Sequence, residues 1–220
     1  MSGSSNSLFR KDLYPVPGWS ILTFLGVGAL IGTAAIWLLP DRSLLPLLTV
    51  FFGTGLAAVF ISVSPLGLAD GARALGLRPV GWRPVVLGVV GTTVLSFAVS
   101  QIGVQPEGVR QVTDSVRDPS VLIPTLLVLA VLAPVVEELV FRGLLYGWVA
   151  GRWGPLPAFI VSSLVFAAAH AEPAHIVLVL PLGFWFGWLR WRTNSLWPTL
   201  ITHMINNAFA VLGAAYLAGN

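Results

Sequence analysis

The chain contains no cysteine, which excludes a disulfide, a thiolate nucleophile, cysteine-held zinc and cysteine lipidation. Charge is nearly as scarce. Only 10% of the 220 residues are Asp, Glu, Lys or Arg, against about 25% in an ordinary soluble domain. Twelve basic side chains outnumber nine acidic ones, but they stand singly between apolar runs, so no nucleic-acid partner is expected and the bias reports topology instead. Low-complexity tracts and fixed-period repeats are also missing.

What is present is apolar. Hydrophobic residues make up 56% of the chain, with 23 glycines besides, and this composition specifies a polytopic membrane protein. The expected fold is an all-α transmembrane bundle of about seven spans, since a span needs about 20 residues. Residues 1–17 read as a short mobile tail and 18–220 as a single transmembrane domain. The expected spans are 18–39, 43–64, 84–104, 120–150 with a kink or break at Pro134, 155–171, 174–191 and 196–217. Between them, 65–83 mixes Asp70, Arg73, Arg78 and Arg83 with Leu66, Leu68, Leu75, Leu77 and Trp82, which suits a segment on the membrane surface or a solvated loop. Residues 105–119 read as the longest hydrophilic loop.

Lys and Arg divide unevenly between the two sides. Arg10, Lys11, Arg73, Arg78, Arg83, Arg152, Arg190 and Arg192 fall on the side of the N-terminus, and Arg42, Arg110 and Arg117 opposite. The positive-inside rule then places the N-terminus in the cytoplasm of a cell membrane. Gly143, Gly147 and Gly151, like Gly183 and Gly187, have the spacing that lets helices approach closely.

Glu137 and Glu138 lie inside the apolar run of the fourth span. An acidic side chain at mid-membrane costs roughly 2.5–3.5 kcal/mol on insertion scales, so such groups face a bundle interior, pair, or do chemistry. Glu138 and Arg142 share a helix face and can form an ion pair. Glu137 points about 100° away and is left to hold a water or a metal. Phe166 and His170 share one helix face, and His203 and Asn207 another. At about 1.5 Å per residue from the cytoplasmic helix ends, Glu137 lies roughly 20 Å deep, His170 roughly 22 Å and His203 roughly 14 Å, close enough for one polar pocket. A carboxylate with two imidazoles supplies a base for water and donors for an oxyanion. The same three side chains, Glu137, His170 and His203, can instead hold a divalent metal such as zinc, with an open fourth position.

These motifs, Glu137-Glu138-x-x-x-Arg142, Phe166-x-x-x-His170 and His203-x-x-x-Asn207, resemble in order and spacing those of the CPBP family of intramembrane proteases, also called the Abi family. The resemblance covers about 120–210. It implies hydrolysis of a peptide bond in a membrane-associated protein or peptide. Glu137 would be the general base, His170 would help hold the water, and His203 and Asn207 would stabilise the oxyanion. Glu138, Arg142 and Phe166 complete the motifs. Metal-dependent and glutamic mechanisms both occur in the family. His175 matches no motif position and reads as interfacial. The alternative reading is a non-proteolytic scaffold or immunity protein that keeps the protease fold.

Overall fold

Apolar runs of about 20 residues, separated by short Pro-, Gly- and Ser-containing turns, satisfy their backbone polar groups internally by folding as helices. A computed structural model describes residues 15–216, and within them every regular element is helical. In chain order these are α1 (Gly18–Leu38), α2 (Leu44–Val63), α3 (Leu68–Ala74), α4 (Trp82–Ser100), α5 (Glu107–Ser115), α6 (Pro119–Trp153), α7 (Pro155–Ala168), α8 (Pro173–Thr193) and α9 (Trp197–Tyr216). The seven expected spans correspond to α1, α2, α4, α6, α7, α8 and α9. Residue 217 lies outside the described residues.

Helices α1, α2, α4, α6 and α8 are long and apolar enough to cross a membrane by length and composition. Helix α7 is apolar but has 14 residues, and α9 carries Thr199, Thr202, His203, Asn206 and Asn207 along its length. Large apolar side chains such as Leu30, Trp37, Phe51 and Phe97 are exposed on the outer surface, the arrangement a lipid solvent favours. The protein is an integral membrane protein.

Helices α1 and α2 form a hairpin, α2 packs on α6, and α6 lies against α7 and α9. Helix α4 closes the bundle against α8 and α9. The glycine steps work as expected: Gly147 lies under Val16 and the Ala74 carbonyl, and Gly183 under Phe166 and the Ser163 carbonyl, where a Cβ would crowd backbone atoms.

Several local expectations are corrected. Only part of the tail is described, and Val16 there is buried, its N–H reaching the Gly147 carbonyl at 3.4 Å. The apolar Val16 side chain packs against Gly147 of α6. The 65–83 segment folds back as α3, burying Ala74 and Leu75 in the same core as Val59, Leu144 and Leu196. The hydrophilic stretch contains the nine-residue α5, which packs on α9 through its less polar face. Helix α6 is unbroken at Pro134. It accommodates the proline through a π-helical stretch, Leu126–Leu132, and has a second one at Glu138–Leu145. Finally, Arg190 is a buried side chain, 2% exposed, rather than a loop cation. Its guanidinium has partners inside the protein, donating to the Arg142 carbonyl and Asn194 Oδ1, both at 2.9 Å, and lying over the Tyr146 ring.

Candidate active site

Helix α6 presents two adjacent glutamates to different surroundings. Glu138 and Arg142 are both 0% exposed, and their 3.1 Å ion pair links successive turns of the π-helical stretch. The guanidinium is further held by the Gly183 carbonyl at 2.9 Å and lies 4.1 Å over the Phe166 ring. Phe166 of α7 thus covers a desolvated cation, an arrangement that strengthens the cation–π attraction.

His203 of α9 sits between the two glutamates. Its Nδ1 is 3.0 Å from Glu138 Oε1, and its Nε2 is 3.5 Å from Glu137 Oε2. An ionised carboxylate only accepts, so Nδ1–H donates to Glu138, and this leaves Nε2 turned towards Glu137. Phe186 stacks on the imidazole with ring centroids 4.9 Å apart, and Phe166 meets it edge-on at 5.9 Å. Four contacts therefore fix the ring. Glu137 is the more open of the two carboxylates, with 18% of its side chain exposed.

His170 lies just beyond the end of α7. Its Nδ1–H donates to the Phe166 carbonyl at 3.0 Å, so Nε2 is its free acceptor. Ring contact with Phe166, at 5.1 Å between centroids, joins it to the cluster. The turn that follows is tight: Glu172 N–H reaches the His170 carbonyl at 2.6 Å, and Ala171 has a φ of 59°. A non-glycine residue in that region stores strain and persists only when its surroundings impose it. Here α8 imposes it, bringing His175 edge-on to His170 at 4.6 Å between centroids. His175 thus touches His170, a contact across a turn that helix periodicity does not reveal.

Asn207, one turn beyond His203, donates Nδ2 to the Leu129 carbonyl at 2.9 Å, while its Oδ1 accepts from Asn206 Nδ2 at 3.4 Å. Glu137, Glu138, Arg142, His203 and Phe166 are in one contiguous cluster. His170 borders it through Phe166, and Asn207 anchors α9 to α6 beside it.

Residues 119–209 match the family model described as type II CAAX prenyl endopeptidase Rce1-like. The match runs from the first residue of α6 to Phe209 in α9. The resemblance read from the three motifs is borne out over the stretch that carries them. The chain is 27% identical over 125 residues to "Putative membrane peptidase YdiL" of Bacillus subtilis (strain 168), covering 57% of this chain and 49% of that protein. It is 34% identical over 89 residues to "Membrane-embedded CAAX protease MroQ" of Staphylococcus aureus (strain USA300), covering 38% of this chain and 36% of that protein. The matched stretches thus span half or less of these relatives' lengths. No solved structure matches significantly.

Within this cluster, the donor set for a metal does not converge. No group of three or more His, Asp or Glu among the described residues is arranged to hold an ion. Each histidine commits its Nδ1, His203 to Glu138 and His170 to a backbone carbonyl, so Nε2 is the atom each would offer a metal. Since Glu137, His170 and His203 are not gathered around one point, no chemical step is derived through an ion.

Proposed function

We propose that the protein is an intramembrane endopeptidase that hydrolyses a peptide bond of a membrane-associated protein or peptide. The observation that carries this reading is the chain Arg142–Glu138–His203–Glu137, a buried ion pair orienting an imidazole towards a second, more open carboxylate. In this reading Glu138 and Arg142 keep the His203 ring in one orientation, as the carboxylate of a catalytic triad does for its histidine. A water beside Glu137 and His203 loses its proton to Glu137 while its oxygen adds to the scissile carbonyl. The oxyanion so formed is met by the second Nδ2–H of Asn207 and by Nε2–H of His203 in its doubly protonated form, and the proton taken by Glu137 then passes to the departing amine. His170, with Nε2 free, helps to hold the water. The matched relatives, named as a membrane peptidase and a membrane-embedded CAAX protease, support a peptide substrate at the membrane.

The topology proposed with it places the N-terminus in the cytoplasm of a cell membrane. Removing buried Arg190 from the loop cations leaves Arg10, Lys11, Arg73, Arg78, Arg83, Arg152 and Arg192 against Arg42, Arg110 and Arg117, so the positive-inside asymmetry keeps its sign.

The test compares new protein termini, by mass spectrometry, in membranes from host cells expressing wild type, Glu137→Gln or neither. Peptide ends found only with wild type are expected. Identical profiles from wild type and Glu137→Gln, each tested on a panel of candidate membrane peptides and equally expressed, would favour the non-proteolytic scaffold.

A further inference from the structure

Outside the glutamate–histidine cluster, α8 buries a second guanidinium, that of Arg190, 2% exposed. No carboxylate pairs with it among the described residues; its partners are the Arg142 carbonyl, Asn194 Oδ1 and the Tyr146 ring, 4.5 Å away. Burying a cation without an anion is costly, so the position uses a property that an apolar side chain lacks. That property is reach. The planar fork presents several N–H donors in fixed directions, and here it meets three separate parts of the fold.

The first is the π-helical stretch of α6. Tyr146 N–H bonds to the Phe141 carbonyl, five residues back, and to that of Gly143, passing over the Arg142 carbonyl that an α-helical bond would use. Arg190 Nε–H donates to that carbonyl at 2.9 Å. The bond holds the backbone of the residue whose side chain pairs with Glu138 at 3.1 Å, and Glu138 in turn holds His203 Nδ1 at 3.0 Å.

The other two parts set the start of α9. Gly76, at a φ of 79°, lies so close to the guanidinium that a Cβ there would collide with it. The Gly76 carbonyl accepts from Leu196 N–H at 2.8 Å, and the Leu196 carbonyl accepts from Leu200 N–H, in the first turn of α9, at 3.0 Å. Arg190 Nη1–H donates to Asn194 Oδ1 in the turn between α8 and α9. Leu196 and His203 are about two helical turns apart and share a face, so a rotation fixed at Leu196 carries through to the imidazole.

We infer that Arg190 is a positioning residue: its guanidinium sets α6 at Arg142 and the start of α9 in one register, and thereby aims His203 at Glu138 and Glu137. It touches none of the reacting groups. The orientation of the imidazole stands by itself, whereas its consequence for hydrolysis rests on the proposed peptidase reading.

The chain has three histidines, few enough to follow one by one by imidazole NMR of the full-length protein, histidine-labelled in lipid nanodiscs and assigned with single His→Gln variants. In wild type the His203 Nδ1–H, bonded to Glu138, is expected as a slowly exchanging proton. In Arg190→Met that proton is expected to exchange at least about tenfold faster, the factor for loosening a hydrogen bond to a charged acceptor. The signals of His170 and His175, at the opposite end of α8, should stay in place. Asn194→Gly accepts the left-handed φ of 51° and drops one contact of the guanidinium. It should move the His203 proton the same way by less, and it decides the matter if Arg190→Met misfolds. An arginine that only stabilises the fold gives a lower Tm with the His203 proton unchanged; that result, or equal displacement of all three histidines, would overturn the inference. Cleavage, read as the peptide ends found only with wild type, is expected to fall at least about tenfold in Arg190→Met. Undiminished cleavage beside a loosened His203 proton would overturn the link to hydrolysis. If wild type produces no such ends, the peptidase reading fails, and the imidazole measurement still judges Arg190.

Discussion

Asn207 donates its side-chain amide to the one carbonyl that Pro134 leaves without a backbone donor. In the π-helical stretch of α6 the Ala133 N–H bonds to the Val128 carbonyl, five residues back. The next bond in that register would join residue 134 to Leu129, but a proline has no N–H to give. Asn207 Nδ2 stands in for it at 2.9 Å. Neighbouring helices commonly repair proline sites in membranes in this way, and here the repair fixes α9 against α6 about two turns before Glu137.

Removing that amide should therefore cost more with Pro134 than without it. Asn207→Leu is expected to destabilise the protein by about 1–3 kcal/mol, the cost of an unsatisfied buried acceptor. In a Pro134→Ala background, residue 134 regains an N–H, and the same substitution should cost measurably less. A thermal-unfolding double-mutant cycle in detergent checks it: about 2–4 °C of Tm per kcal/mol is expected for a chain of this length. Additive effects would refute the substitution of one donor for the other.

Glu138→Gln should lower the yield of folded protein as well as any activity, because it removes the carboxylate paired with the Arg142 guanidinium, which is 0% exposed and is otherwise held by the Gly183 carbonyl and the Phe166 and Phe186 rings. Breaking a buried pair from one side costs about 3–5 kcal/mol. Replacing both partners with apolar residues, as in Glu138→Leu with Arg142→Met, should recover much of the folded yield but no activity, as read by fluorescence-detected gel filtration. A folded yield for Glu138→Gln equal to that of wild type would contradict the structural part of this reading.

The start of α6 has its own pH dependence, outside the membrane. Asp118 accepts from the Ser120 N–H at 2.9 Å and from the Ser120 hydroxyl at 2.8 Å, and these bonds hold its carboxyl below the ordinary value of 3.8. A group with a depressed folded pKa stabilises above its unfolded value and loses that contribution as pH falls through the folded one. Amide protection in the first turn of α6 should thus be intact at neutral pH, fall in acid below about pH 4, and be absent at all pH values in Asp118→Ala. Hydrogen exchange on residues 120–122 reads both outcomes.

The bundle was legible in the sequence because a span is a one-dimensional object. Twenty apolar residues between polar turns identify themselves, and the positions of α1, α2, α4, α6 and α8 follow. The Glu138–Arg142 pair was legible too, since four residues along a helix bring two side chains together without help from any other helix. Amphipathic α5 and the buried turn after α3 were harder to read. Their polar residues resemble those of a loop until α9 and α6 supply the surfaces that Val116 and Leu75 bury against.

Composition and spacing alone established the solvent, the class of fold and the three helices that carry the polar residues, because hydropathy and helical period act within about 20 residues of chain. Tertiary structure alone decided that His203 stands between Glu137 and Glu138, that His175 touches His170, that Arg190 is buried, and that Asn207 completes a hydrogen bond Pro134 cannot make. Each of these depends on the rotation and depth of one helix against another. Close packing of side chains between helices sets those quantities, and they leave no period in the sequence of either helix by itself.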